Sequence, residues 1–232
     1  MTLLTIFALF NTGCYASRSA PANAIQRSIA RQEVKHGERL LVEAENAEAE
    51  AVFRRALKFD PRNSSAHAYL AKILAKKGED ERACEHYREA LKYTPDNVNY
   101  SLGLGDCLSN RAMTSFHRQR LFDAAVKSYR HARSQDPKNF SAALKLGICY
   151  RRMGAYDSAI KTLLEAERLN PVSARVHNEL ADIYKDIRNG DTALVHLRRS
   201  LQIDPDQPAV QEKLRNRKKT TPLAQTPAFA HD

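Results

Sequence analysis

Four cysteines and eight histidines are the residues of this chain best suited to chemistry, as thiolate nucleophiles or as ligands for a borderline-soft metal. Their spacing argues against both uses. Cys14, Cys84, Cys107 and Cys149 follow one another at intervals of 70, 23 and 42 residues, whereas zinc sites draw ligands in pairs a few residues apart. Cys84 and His86 are neighbours in sequence, but residues two apart on a helix face different ways. Gly103-x-Gly105 lacks the third glycine and the preceding strand of a dinucleotide loop, and no nucleophile elbow, HExxH pair or phosphate loop occurs. The expectation is a non-enzymatic protein with no catalytic residues, no metal site and no cofactor.

The elements that carry these residues are legible from one stretch, Phe140 to Ser173. Leu146, Gly147 and Tyr150 have helical spacing, Gly154 interrupts it, and a second helical stripe runs through Ala159, Leu163 and Ala166. Asn170-Pro171 then stops the helix, because proline supplies no amide donor and clashes with the preceding turn. The unit is helix, tight turn, helix, tight turn, with small residues where two helices approach closely. A bulky side chain at Gly147, Ala159 or Ala166 would force them apart. The same stop recurs at Asp60-Pro61, Thr94-Pro95, Asp136-Pro137 and Asp204-Pro205, so that successive prolines lie 34, 42, 34 and 34 residues apart.

Setting the prolines in register recovers the other positions. Residues 64–97 place Leu70, Ala71, Leu74, Gly78, Ala83, Tyr87 and Ala90 in line. Residues 174–207 place Leu180, Ala181, Tyr184, Ala193, Leu197 and Ser200. Residues 98–139 carry Leu104, Gly105 and Leu108, an eight-residue insertion, then Ala125, Tyr129 and Ala132. Residues 30–63 keep Gly37, Leu40, Ala49, Phe53 and Ala56. A 34-residue helix-turn-helix period with this pattern resembles the tetratricopeptide repeat family. One departure is uniform: the aromatic expected early in the first helix is replaced by Glu33, His67, Ser101, Ala143 and His177, and the two histidines there read as packing rather than as ligands.

The resemblance implies an all-α, right-handed superhelical solenoid of five helix pairs and a C-terminal cap, with repeats at about 30–63, 64–97, 98–139, 140–173 and 174–207. Residues 208–217, with Val210 and Leu214 at i, i+4, read as the cap. Residues 29–217 would form the solenoid, 15–28 a tether and 218–232 a disordered tail with two prolines. The insertion, around Asn110–Arg120, is rich in helix-forming residues and is expected to lengthen both helices of its pair, with Phe116, His117 and Arg118 at the tip.

In the family the first helix of each repeat lines an inner groove that binds extended peptides or partner helices. That geometry assigns the groove to Lys72, Lys76, Asn99, Asn110, Arg151, Arg152, Arg175, Asn178 and Lys185, with Asp106, Asp182 and Asp186 beside them. Inward cations suit an acidic protein or peptide, since hydrogen bonds to carboxylates are charge-assisted. The family's chaperone-binding carboxylate clamp is not matched: Ala68, Lys72, Gly103, Ser141 and Lys145 stand at its positions, and only the lysines could serve.

The 232 residues carry a net charge of +10, with Lys213, Arg215, Arg217, Lys218 and Lys219 in the tail and Arg111, Arg118 and Arg120 in the insertion. At the other end, the apolar run of residues 3–10 and Gly13-Cys14 resemble the cleavage box of bacterial lipoproteins, in which the cysteine thiol is acylated and the preceding peptide removed. No Lys or Arg precedes the run, and Asn11 stands where that family has leucine. Lipidation of Cys14, ordinary signal cleavage near Ala16 or Ala24 and a cytoplasmic stub remain open alternatives. The main expectation is therefore a monomeric, lipid-anchored scaffold on the periplasmic side of a bacterial envelope, assisting assembly of pilus, secretion or cell-wall machinery. A cytoplasmic regulatory adaptor is the alternative, with nucleic-acid contact through the tail less favoured than a protein partner.

Overall fold

A computed structural model describes residues 24–220, with side chains through Arg215. Cys14, the apolar run before it and the tail after Thr220 lie outside the described residues. Within them the chain is entirely α-helical, as the 34-residue period requires. Five successive pairs are α1 (Ala24–Val42) with α2 (Asn46–Phe59), α3 (Ser64–Lys76) with α4 (Asp80–Tyr93), α5 (Val98–Thr114) with α6 (Arg118–Gln135), α7 (Phe140–Met153) with α8 (Tyr156–Leu169), and α9 (Ala174–Asp186) with α10 (Gly190–Ile203). The single helix α11 (Pro208–Thr220) follows. This is the all-α succession of helix pairs that the repeat implies.

The chain forms two compact units, and their boundary, Cys107/Leu108, falls inside α5. In the first, α1 packs on α2, α3 on α4, and α2 on α3. Its core gathers Val34, Leu40, Phe53, Leu70 and Ile73, with Tyr69 of α3 stacked on Phe53 at 4.9 Å between ring centroids. In the second, α6 through α10 pack each on the next, and α11 covers α10. Leu144, Ile148, Leu163, Leu180 and Ile183 form its main core, while Val210 and Leu214 of α11 close the end over Ala181 and Leu197.

The turns explain the period. At the end of four of the five pairs an Asp or Asn before the proline accepts, through Oδ1, the amide two residues on: Asp60 from Arg62, Asp136 from Lys138, Asn170 from Val172 and Asp204 from Asp206. This Asx turn redirects the chain once the helix has stopped. Asn63 and Asn139 then cap the next helix, accepting the amides of Ala66 and Ala142 at 2.9 Å. Inside four of the pairs the first helix closes with a left-handed residue, Ala44, Gly78, Gly154 or Arg188, and a 6→1 bond reaches back to the last turn (for example Ala155 N–H to the Tyr150 carbonyl, 3.0 Å).

The small residues sit where the pattern requires them. A Cβ on Gly147 would lie 2.7 Å from Leu163, and one on Gly37 2.6 Å from Phe53. Ala125, Ala159 and Ala166 are fully buried and Ala193 nearly so.

Two boundaries differ from the sequence reading, whereas the insertion lengthens both helices of its pair as its composition implied. Helix α1 starts at Ala24, so residues 24–28 of the expected tether are helical; Gln26 and Arg27 favour helix and nothing there breaks it. Helix α11 continues to Thr220 rather than ending at Arg217. The insertion is absorbed almost wholly as helix: α5 has 17 residues and α6 18, against 14 in both α7 and α8, and only Ser115, Phe116 and His117 remain between them.

Candidate functional site

The expected groove residues lie on first helices throughout, but their partners divide them into two groups. In the first unit Lys72 and Lys76, four residues apart on α3, are both exposed, as is Asn99 at the start of α5. Beside them Tyr69 donates its hydroxyl to Glu38 of α1 at 2.9 Å, tying successive first helices together.

In the second unit Arg175 and Lys185 of α9 and Asn110 of α5 are exposed. Arg151, Arg152 and Asn178 are committed to the protein itself. Arg151 Nε donates to Glu179 of α9 at 2.8 Å, an ion pair between the first helices of consecutive repeats. Arg152 donates to Ser109 Oγ of α5 at 3.0 Å, while its carbonyl accepts from Arg118 at 2.9 Å. The Arg151-Arg152 pair, the densest cationic pair of the expected groove, therefore holds helices together, and its first charge is answered by Glu179. Asn178 Nδ2 donates to Gln207 Oε1 at 2.7 Å, leaving a buried Oδ1 without a hydrogen-bond partner. Asp182 pairs with Lys213 of α11 at 2.9 Å. Glu179, Ser109 and Gln207 are the partners that sequence reasoning missed; each lies about 30 or more residues away, so only the stacking of repeats brings it into reach.

The histidines in the aromatic position have an unexpected role. His67 of α3 faces His86 of α4 with the Nδ1 atoms 2.9 Å apart, and His177 of α9 faces His196 of α10 at 3.2 Å. His67 Nε2 lies 3.1 Å from the Pro61 carbonyl, which can only accept, so His67 carries its proton there and its Nδ1 accepts from His86. Burial holds all four rings below the ordinary histidine range, His86 to about 4. These are neutral packing pairs that replace ring stacking by a hydrogen bond.

The thiols are equally inert. Cys84, Cys107 and Cys149 are buried thiols outside any disulfide, and burial raises Cys149 to about 11. Among the described residues no group of three His, Cys, Asp or Glu side chains converges as metal ligands would, and no helix is long and apolar enough to cross a membrane.

Comparison with known proteins agrees with this architecture. Tetratricopeptide repeat profiles match residues 117–183 and 52–85, and a TPR repeat profile matches residues 71–109. The chain belongs to the tetratricopeptide repeat family. This tetratricopeptide repeat protein is 27% identical over 190 residues to the type IV pilus assembly protein PilF of Pseudomonas aeruginosa, covering 79% of the chain and 72% of PilF. It is 24% identical over 152 residues to anaphase-promoting complex subunit 3 of Schizosaccharomyces pombe, covering 66% of the chain and only 22% of that protein. Among solved structures, TTC0263 of Thermus thermophilus superposes with a TM-score of 0.64 at 22% identity, covering 81% of the chain and 97% of TTC0263. YrrB, described as a TPR protein with an unusual peptide-binding site, superposes at 0.66 and 19% identity, covering 84% and 99%. The repeat family is one of protein-interaction scaffolds, generally non-catalytic, and the chain has the architecture of such a protein-interaction scaffold.

Proposed function

We propose that this scaffold is a lipid-anchored envelope protein that assists assembly of a larger complex by holding an acidic segment of a partner. The observation that carries the reading is the similarity to the pilus assembly protein PilF, which runs through most of both chains. Gly13-Cys14 after an apolar run adds the anchor. The thiol of Cys14 is acylated, the preceding peptide is removed, and the combined acyl chains hold the protein at the membrane where one chain would not. The partner-binding cations are those with room to act: Lys72 and Lys76 in one unit, Arg175 and Lys185 in the other. Arg151, Arg152 and Asn178 serve the groove indirectly, by fixing the spacing of the helices that form it. The protein works as a monomer, because the scaffold surface rather than a subunit interface supplies the contacts.

Growth of a bacterial host with radioactive palmitate tests the anchor. Wild-type protein is expected to incorporate label and fractionate with membranes, and Cys14→Ser to do neither. Unlabelled wild-type protein in the soluble fraction would instead support a cytoplasmic adaptor.

A further inference from the structure

We propose that the α5–α6 turn is a second, non-covalent membrane contact, which seats Phe116 and Met113 in the interfacial layer of an anionic phospholipid surface. The extension is built rather than loose. Compared with the 14-residue helices α7 and α8, α5 and α6 are longer by 3 and 4 residues, about one turn of helix. Their ends are braced from α7: Arg152 donates to Ser109 Oγ at 3.0 Å and accepts from Arg118 at 2.9 Å through its carbonyl. The Arg118 guanidinium lies over the ring of Phe122, 5.4 Å from its centroid, and both Phe122 and Ala112 are fully buried. Within the turn the His117 amide donates to Ser115 Oγ at 3.1 Å.

This bracing holds up an apolar apex that nothing in the described chain covers. Phe116 is fully exposed and Met113 is 53% exposed. A large aromatic held in water forgoes its burial energy, and a rigid support for it gives the exposure a purpose. The flanks are cationic. Arg111, Arg118 and Arg120 lie there, and no acidic residue occurs between Asp106 and Asp123.

Charge and shape together favour lipid over protein. Two apolar side chains, Met113 in the last turn of α5 and Phe116 in the three-residue turn after it, fall far short of the roughly 800 Å² per partner of a standard protein interface. A bilayer surface needs no such area: it accepts an apolar point into the headgroup boundary and holds nearby cations with its negative potential. The contact does not depend on lipidation of Cys14. It would hold one end of the α5–α6 hairpin against the membrane and so orient the scaffold there.

The chain contains no tryptophan, so Phe116→Trp in the full-length protein gives a reporter at the tip alone. Vesicles of phosphatidylglycerol and phosphatidylcholine are expected to shift its emission to the blue and shield it from iodide, while pure phosphatidylcholine vesicles do neither. Adding Arg120→Gln should weaken the apparent partition about fivefold, the equivalent of one cation at an anionic surface. Val195→Trp, on the exposed side of α10, should show no shift under the same conditions. Met113→Trp supplies a second tip reporter, and far-UV circular dichroism checks that each variant folds. Unshifted emission from both tip reporters would overturn the proposal, even if the protein bound vesicles through its N-terminus, and would leave the lipid-anchor reading standing. Equal shifts at the tip and at position 195, or equal shifts with neutral and anionic vesicles, would also overturn it.

Discussion

Residue by residue, the repeat tolerates substitutions that its geometry does not favour. The left-handed residue closing the first helix is glycine at Gly78 and Gly154, but Ala44 has φ 65° and Arg188 φ 61°. A residue with a Cβ there costs ~1–2 kcal/mol, which glycine avoids at some cost in chain entropy. Arg188→Gly is therefore expected to stabilise the protein by ~0.5–1 kcal/mol, seen as a higher urea midpoint. The paired histidines impose a pH limit. Their pKa values in the fold lie below the ordinary value near 6.5, so the unfolded chain binds more protons in that range. The groups around them are mixed: Glu89, Lys92, Arg82 and Arg54 near the first pair, Glu167 and Arg199 near the second. Stability should be complete above pH 6.5 and fall progressively as the pH drops toward about 4, where His86 titrates in the fold. Urea unfolding between pH 7 and 4.5 checks this, and replacing both His67 and His86 by Phe and Leu should flatten the dependence by about half.

The helix pair is the scale at which small residues and ion pairs act. Ala159 is fully buried in the contact of α8, in the same core cluster as Leu163 and Ala143. Ala159→Phe has no void to enter and should cost ~1–3 kcal/mol, visible as a lower melting temperature with the helical spectrum retained. Between pairs, the contacts are carried by side chains such as Arg151 with Glu179 and Arg133 with Glu165, the second at 2.7 Å. The insertion in the third pair shows how a solenoid absorbs added residues. Eight extra positions lengthen the two helices and replace the left-handed turn found in the other pairs, while the Asx turn and proline that follow keep their places.

For the whole molecule, binding is a matter of which cations remain available once the stack is complete. Reversing Arg152 would break its bond to Ser109 and disturb the hairpin, so the informative variant is Arg175→Glu with Lys185→Glu, both exposed on α9. It should weaken capture of the partner several-fold, most at low salt where screening is slight, while leaving helicity and melting temperature unchanged. Equal capture by wild type and variant in a pull-down with the purified partner would remove the α9 cations from the binding surface.

The sequence alone determined the helices, their pairing and the register of the repeats. Those depend on local signals: Asp-Pro and Asn-Pro stops, Asn caps, glycine or alanine at close approaches, and apolar residues at helical spacing. The same locality made the helical character of the insertion legible, since its composition favours helix. Only the tertiary structure decided which of the expected groove residues are exposed and which are paired within the protein. Arg151 and Arg175 look alike as cations on first helices, yet one is paired with Glu179 28 residues away and the other is exposed. His67 and His86 likewise meet only because two helices pack, and Arg152 finds Ser109 43 residues earlier in the chain. The histidine pair arises within one repeat, where α3 packs on α4, whereas the two arginine pairings arise from the rise and rotation of one repeat on the next, which a 34-residue period implies but no single repeat encodes.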